Sequence, residues 1–284
     1  MNRFLNYEKR LTNLYDKNEA RSILKLLIGK RYGLDFADIC LGRLNDLSEK
    51  QLKDLEESVT RLEKGEPVQY ILGKADFFGR EFAVREGVLI PRQETEGLVS
   101  IVLEKLNTSD NLSPTPKRVL DIGCGSGCIS TTIALESDAE VTAWDISDVA
   151  LATTRENALL LGAAVSLVRQ DALDAPAEDF ALWDVIVSNP PYICDREAVS
   201  MERNVLDYEP HLALFVPDSD PLLFYRAIAR YASHALRPGG WLCFEINSAL
   251  GQEAVSMFSS FPCFSSPSLS TDIFGLNRFL VTSL

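Results

Sequence analysis

Over residues 3–64, apolar positions recur at helical spacing: Ile23, Leu24, Leu27 and Ile28, then Leu44, Leu47, Leu52, Leu55 and Val59. Gly33 and Gly42 break the pattern, and Asp46-Leu47-Ser48-Glu49 offers a helix start with an acid in its first turn. From residue 67 to 91 the period changes. The run Pro-Val-Gln-Tyr-Ile-Leu-Gly-Lys-Ala-Asp-Phe-Phe-Gly-Arg-Glu-Phe is aromatic, β-branched and broken by glycine, which predicts a β-hairpin.

Beyond the hairpin the chain alternates. Residues 94–106 read as a helix and 107–117 as a polar loop. Strands are predicted at 118–122, 140–144, 164–168, 184–188 and 240–246, with helices at 127–136, 147–161 and 221–236. Strands separated by helices imply right-handed crossovers and a mainly parallel sheet. No helix separates the last strand, at 278–282, from the short run near 263–270, so an antiparallel edge is expected there. The pattern divides the chain into a helical domain (1–72), a hairpin joint (73–92) and an α/β domain (93–284).

Charge separates these parts further. The net charge is −13, yet residues 1–85 carry 16 basic and 14 acidic side chains, against 12 and 27 in residues 86–284. Such acidity argues against a generic nucleic-acid binder, which gains affinity by neutralising phosphates. No stretch approaches a membrane span, and the first residues lack the apolar run of a signal peptide. Six scattered cysteines (Cys40, Cys124, Cys128, Cys194, Cys243, Cys263) read as buried, reduced thiols, which fits a cytoplasmic location. The spacing of Cys124 and Cys128 lacks the companions of a zinc site, so no metal is expected.

Candidate chemistry begins where the first central strand ends, in Val119-Leu120-Asp121-Ile122-Gly123-Cys124-Gly125-Ser126-Gly127. A glycine-rich string between strand and helix is a nucleotide-binding signal, because a ligand can approach amides that carry no Cβ neighbour. Asp145 closes the next strand, where it can take both hydroxyls of a ribose. The spacing is Gly-x-Gly-x-Gly, and with Asp121 before it the string resembles the class I S-adenosylmethionine methyltransferases. In that fold an acid at the position of Asp171, followed here by Ala172, meets the adenine; a solvated turn aspartate is the plainer reading.

The sharper signal is Val185-Ile186-Val187-Ser188-Asn189-Pro190-Pro191-Tyr192. Two consecutive prolines lack N–H groups and stop ladder pairing, which frees local carbonyls to accept from something else. Asn189 adds a side-chain carbonyl and Tyr192 a flat ring, a set suited to holding a planar amide or amine NH₂. Asn189 Oδ1 and the Pro190 carbonyl would take the two N–H bonds while the lone pair faces a methyl donor, a positioning effect.

Asn189-Pro190-Pro191-Tyr192, the loop at 123–127, and Leu89-Ile90-Pro91-Arg92-Gln93-Glu94-Thr95-Glu96 together resemble the peptide chain release factor glutamine methyltransferases. So do Gln69-Tyr70-Ile71-Leu72-Gly73 before Phe77-Phe78-Gly79, and Leu236-Arg237-Pro238-Gly239-Gly240-Trp241. The resemblance implies a Rossmann-like class I fold and methylation of the glutamine amide in a Gly-Gly-Gln loop of class I release factors. It implies S-adenosylmethionine as cofactor, with S-adenosylhomocysteine as product, and no direct contact with nucleic acid or membrane. Matched residue by residue, Asp121, Gly123, Cys124, Gly125, Ser126, Gly127, Asp145, Asp171, Ala172 and Asn189 fall to the cofactor. Asn189, Pro190, Pro191 and Tyr192 fall to the glutamine. Gln93, Ala172 and Asn277 depart from the usual pattern, where proline, an aromatic and aspartate are common. Methylation of another amide or of a nucleobase, and a non-catalytic cofactor-binding adaptor, are the alternatives. A basic release-factor surface would be complementary to an acidic catalytic part.

Overall fold

A computed structural model describes residues 3–108 and 115–284, so the middle of the expected 107–117 loop lies outside the described residues. The chain splits into two compact units: Met1–Ala75 with Met201–Tyr208, and Asp76–Ser200 with Glu209–Leu284.

The first unit is helical: α1 (Arg3–Leu11), α2 (Lys17–Tyr32), α3 (Phe36–Cys40), α4 (Glu49–Leu62) and α5 (Val68–Leu72). Side chains cap three of these starts. Asp16 accepts from the amides of Asn18 and Glu19, and reciprocal capping boxes link Asp35 to Asp38 and Ser48 to Gln51. The apolar stripes Leu24, Leu27, Ile28 and Leu55, Val59, Leu62 then close one core with Leu11. The Arg31 guanidinium grips Asp54 through two nitrogens (2.7 and 2.8 Å) and donates to the Ile71 carbonyl, which ties α2 to α4 and α5. The short helix Arg203–Tyr208, remote in sequence, belongs to this unit, and its Tyr208 hydroxyl donates to the Lys64 carbonyl.

The hairpin is narrower than its sequence signal. It comprises β1 (Lys74–Phe77) and β2 (Arg80–Ala83), preceded by α5 and followed by irregular chain. Its turn residues Phe78 and Gly79 both have positive φ, as the tight hairpin turn matched to strand twist requires.

The second unit holds a seven-stranded sheet built from β3 (Arg118–Ile122), β4 (Glu140–Asp145), β5 (Val165–Arg169), β6 (Trp183–Ser188), β9 (Leu236–Glu245), β10 (Ser268–Thr271) and β11 (Asn277–Ser283). Its order is β10-β11-β9-β6-β3-β4-β5. The five strands from β9 to β5 run parallel, while β11 and β10 are antiparallel, as the sequence pattern predicts. A separate parallel pair joins β7 (Ile193–Cys194) to β8 (Phe215–Val216).

Helices α6 (Thr95–Thr108), α7 (Cys128–Glu136) and α8 (Asp148–Leu161) follow the predicted positions to within two residues. Val99, Val102, Ile129 and Ile133 pack on one face of the sheet, and Ile228, Ala232 and Phe258 on the other. The helix Gly251–Ser259 has no counterpart in the sequence reading. Two cysteines expected in the interior, Cys40 and Cys263, are exposed; the other four are buried, and all six are free thiols.

Candidate active site

Register builds the site. Ile122 pairs with both Trp144 and Ser188, and Ser188 with Phe244, so four parallel strands end level. The next residue of each is therefore Gly123, Asp145, Asn189 and Glu245, in one row across the carboxyl edge. Strand order reverses at β3, whose neighbours β4 and β6 lie on opposite sides. Ligands of open α/β sheets bind at such a switch point. A cavity of about 290 Å³ opens there, lined by the loop after β3, by Asp145, by Asp171 and Ala172, and by Asn189, Pro190 and Pro191.

The glycine loop is locked from within. Gly123 and Cys124 both donate to the Trp144 carbonyl (2.8 and 2.9 Å), Gly127 to the Cys124 carbonyl, and Gly125 to Asp145 Oδ2 at 2.9 Å. On the acceptor side, Thr154 donates to the Gly125 carbonyl, and Asn157 to the carbonyls of Ser126 and Ala83. Amides already committed inside the protein cannot cradle a pyrophosphate, so the loop is a shaped wall rather than an anion nest. Arg92 brings a positive charge to that wall, but it is paired with the buried Glu209. Asp145 and Asp171 give the wall two carboxylate acceptors, and much of the rest of its surface is apolar (Ile122, Ile146, Ala150, Leu173). Acceptors and apolar surface suit a nucleoside that carries cationic centres, which is the chemistry of S-adenosylmethionine.

Asp145 is placed to serve such a ligand. Each of its oxygens accepts one backbone amide, from Gly125 and Ser147, and keeps further lone pairs for hydroxyls. Burial raises its pKa, and the hydrogen bonds from Ser147, Gly125 and Ile146 oppose the rise. Asp171 lines the cavity while one of its oxygens caps the short turn Ala172–Asp174 through Leu173 N.

Three expected site residues stand behind the wall instead. Asp121 is fully buried; one oxygen accepts from Ser130 N at 3.1 Å and the other has no protein partner. Desolvation pushes its pKa up to about 7. Gly127 caps α7 with φ 76°, where a Cβ would lie 2.5 Å from Thr154 Cγ2, so its role is close packing. Tyr192 lies outside the lining, and its hydroxyl donates to Glu245 Oε1 at 3.2 Å. Burial, with the nearby Glu245 charge, drives that phenol well above its ordinary range.

Sequence reasoning assigned no role to the groups that hold this second half. Asn189 Nδ2 donates to Thr95 Oγ1 (3.4 Å), and Thr95 donates to Glu245 Oε2 (2.7 Å). Glu209 accepts from Ile90 N and pairs with Arg92, fixing the segment that carries Thr95. The Asn247 amide donates to the Tyr192 carbonyl at 3.2 Å. The signal available in sequence was an acid closing an apolar strand, Cys243-Phe244-Glu245, the same pattern that marks Asp121 and Asp145.

The fold and this site define a class I methyltransferase. Residues 98–207 match the family model described as "Methyltransferase small domain", and residues 6–73 match the "PrmC N-terminal domain". A Bacteroides thetaiotaomicron protein named release factor glutamine methyltransferase is 44% identical over 285 residues, covering 100% of both chains. Proteins of the same name from Flavobacterium psychrophilum and Streptococcus pneumoniae are 40% and 37% identical, covering 95% and 98% of this chain and 94% and 96% of their own. The chain belongs to the release factor glutamine methyltransferase family. Among solved structures, the T. thermophilus 16S rRNA N2 G1207 methyltransferase shares the fold with a TM-score of 0.51 at 18% identity, covering 74% of this chain and 49% of that one. A Pyrococcus furiosus methyltransferase shares it at 0.50 and 15% identity, covering 84% and 98%.

Proposed function

We propose that this protein transfers a methyl group to the side-chain amide nitrogen of the glutamine in the Gly-Gly-Gln loop of a class I release factor. The observation that carries this reading is Asn189 at the cavity wall with its NH₂ turned to Thr95. That arrangement leaves Oδ1 as the free acceptor of the Asn189 amide, one residue before the Pro190 carbonyl in the same cavity wall. Family membership supplies the substrate class.

When bound, S-adenosylmethionine supplies an electrophilic methyl on a sulfonium and leaves as S-adenosylhomocysteine. Asp145 holds the ribose hydroxyls, Asp171 and Ala172 flank the adenine, and the internally tied loop from Gly123 to Ser126 packs against the remaining length. Asn189 Oδ1 accepts one hydrogen of the substrate NH₂ and the Pro190 carbonyl the other, while Pro191 shapes the pocket around the amide plane and Tyr192 supports it from behind through Glu245. An amide lone pair is delocalised and weakly nucleophilic. Fixing both hydrogens aligns it with the methyl, and positioning of this kind supplies up to about 7–11 kcal/mol in well-oriented systems. No strong base is required, because an N–H becomes acidic only as the new N–C bond forms and the methyl–sulfur bond breaks; the proton from the N–H held at Asn189 Oδ1 is then released to solvent.

The helical part, residues 1–72, contacts the release factor, and the acidic catalytic part faces a basic surface on it. The protein works in the cytoplasm, where release factors act; among the described residues no helix is long and apolar enough to cross a membrane. Labelled methyl transfer to a release factor, compared with the same factor carrying Gly-Gly-Glu, tests the reading. Label on the first alone is expected, and equal label on both overturns it.

A further inference from the structure

Glu245 lies behind the substrate wall with 1% of its surface exposed, where an acid has no evident packing use. Burying a carboxylate is costly unless its oxygens are satisfied. Here each oxygen receives a hydroxyl: Oε2 from Thr95 at 2.7 Å and Oε1 from Tyr192 at 3.2 Å. Burial raises the Glu245 pKa, and the Thr95 hydroxyl, the Arg278 guanidinium (anchored on Asp272 at 3.0 Å) and the Tyr192 hydroxyl oppose the rise. With a hydroxyl donated to each oxygen, the carboxyl group acts here as an acceptor on both sides.

The direction of every hydrogen bond outward from this carboxylate then follows. Thr95 has one proton and must donate it to Glu245, so its oxygen turns lone pairs toward Asn189. A lone pair can be met only by a donor, so Asn189 must offer Nδ2, at 3.4 Å. Its Oδ1 is left as the acceptor that Asn189 can offer a ligand in the cavity it lines. We infer that the Glu245–Thr95 pair sets the hydrogen-bond polarity of the substrate pocket, locking Asn189 as an acceptor so that an amide NH₂ is admitted and a carboxylate refused. Glu245 and Thr95 are thus positioning residues that act through Asn189: Thr95 stands at the cavity wall, and Glu245, outside the lining, is two hydrogen bonds from Asn189. The inference rests on the glutamine reading above.

The relay is reversible in principle. In Glu245→Gln an NH₂ can face Thr95; Thr95 then donates toward Asn189, and Asn189 can turn its NH₂ to the cavity. Thr95→Val keeps the shape and removes the relay, whereas Thr95→Ser keeps the hydroxyl. Sites built around a hydrogen bond reject the wrong partner by large factors, about 10⁴–10⁵ in favourable cases. Loss of the lock should therefore be measurable.

The experiment uses the full-length enzyme, a Gly-Gly-Gln release factor as substrate and its Gly-Gly-Glu variant as competitor. Thr95→Val and Glu245→Gln should each lower kcat/KM by about tenfold or more, and should narrow the ratio of Gly-Gly-Glu inhibition constant to Gly-Gly-Gln KM by at least about tenfold. Thr95→Ser should keep the wild-type ratio, and calorimetric cofactor affinity should stay within about threefold in all three. A wild-type ratio in Thr95→Val overturns the inference, as does a Thr95→Ser ratio equal to that of Thr95→Val. If Glu245→Gln loses cofactor binding, the Thr95 pair alone decides. If wild-type enzyme does not label the Gly-Gly-Gln factor, the glutamine reading itself fails and the inference falls with it.

Discussion

Replacing Asp145 with alanine tests the cofactor half of the site. Its carboxylate accepts the amides of Gly125 and Ser147, each at 2.9 Å, from a largely buried position at the end of β4. In the proposed complex it also takes two ribose hydroxyls. Hydrogen bonds to a charged acceptor are worth about 1.5–3 kcal/mol each, so losing two costs the ligand roughly 3–6 kcal/mol. At about 1.4 kcal/mol per decade, the lower figure already weakens binding more than a hundredfold. The amides left behind lose their partners as well, though Gly125 stands at the cavity wall, where water can replace one of them. Isothermal titration calorimetry with S-adenosylmethionine and with S-adenosylhomocysteine reads the effect, and a thermal melt of the unliganded protein checks that the fold persists. Affinity within threefold of wild type in a folded variant would remove Asp145 from the site and refute the ribose assignment.

Two further predictions concern the layer beneath the cavity. Folding raises the Asp121 pKa from 3.8 to about 7, so the native state holds this proton longer than the unfolded chain. The associated stability is present below about pH 4 and is lost as pH rises through 7, by up to about 4 kcal/mol. Asp121→Asn should flatten the pH dependence of the melting temperature across that window, and an unchanged slope would contradict the cause given. Gly127→Ala places a Cβ 2.5 Å from Thr154 Cγ2 at a φ of 76°, and should destabilise by roughly 2 kcal/mol or more. Adding Thr154→Ser removes that methyl while keeping the hydroxyl bonded to the Gly125 carbonyl, so chemical denaturation of the double variant should show partial recovery rather than additive loss.

The alternation of strands and helices was legible from sequence because each central strand is an apolar run closed by a polar residue. Asp145 and Asn189 could be placed for the same reason. Other parts depended on long-range register. Thr95 and Glu245 are 150 residues apart, and nothing local announces that they meet at 2.7 Å. The segment Ile90-Pro91-Arg92 had a family likeness but no evident task until Glu209 was seen to accept from both Ile90 and Arg92. The helix Gly251–Ser259 begins on glycine and has a short apolar stripe, so its propensity is weak and tertiary packing of Ala254 and Phe258 decides it. Asp121 and Gly127 belonged to the right motif but to its supporting layer. Sequence spacing marks a loop without distinguishing its wall from its footing.

The central claim is that the row formed by Gly123, Asp145, Asn189 and Glu245 brings a methyl donor to a glutamine amide. The most direct measurement is mass spectrometry of a Gly-Gly-Gln release factor after incubation with S-adenosylmethionine and either wild-type enzyme or Asn189→Ala. The account predicts one added methyl on the glutamine side chain with wild type, and a loss of at least about a hundredfold in rate with Asn189→Ala while cofactor binding persists. A methyl found elsewhere on the factor, or an Asn189→Ala enzyme that labels the glutamine at the wild-type rate, would contradict it.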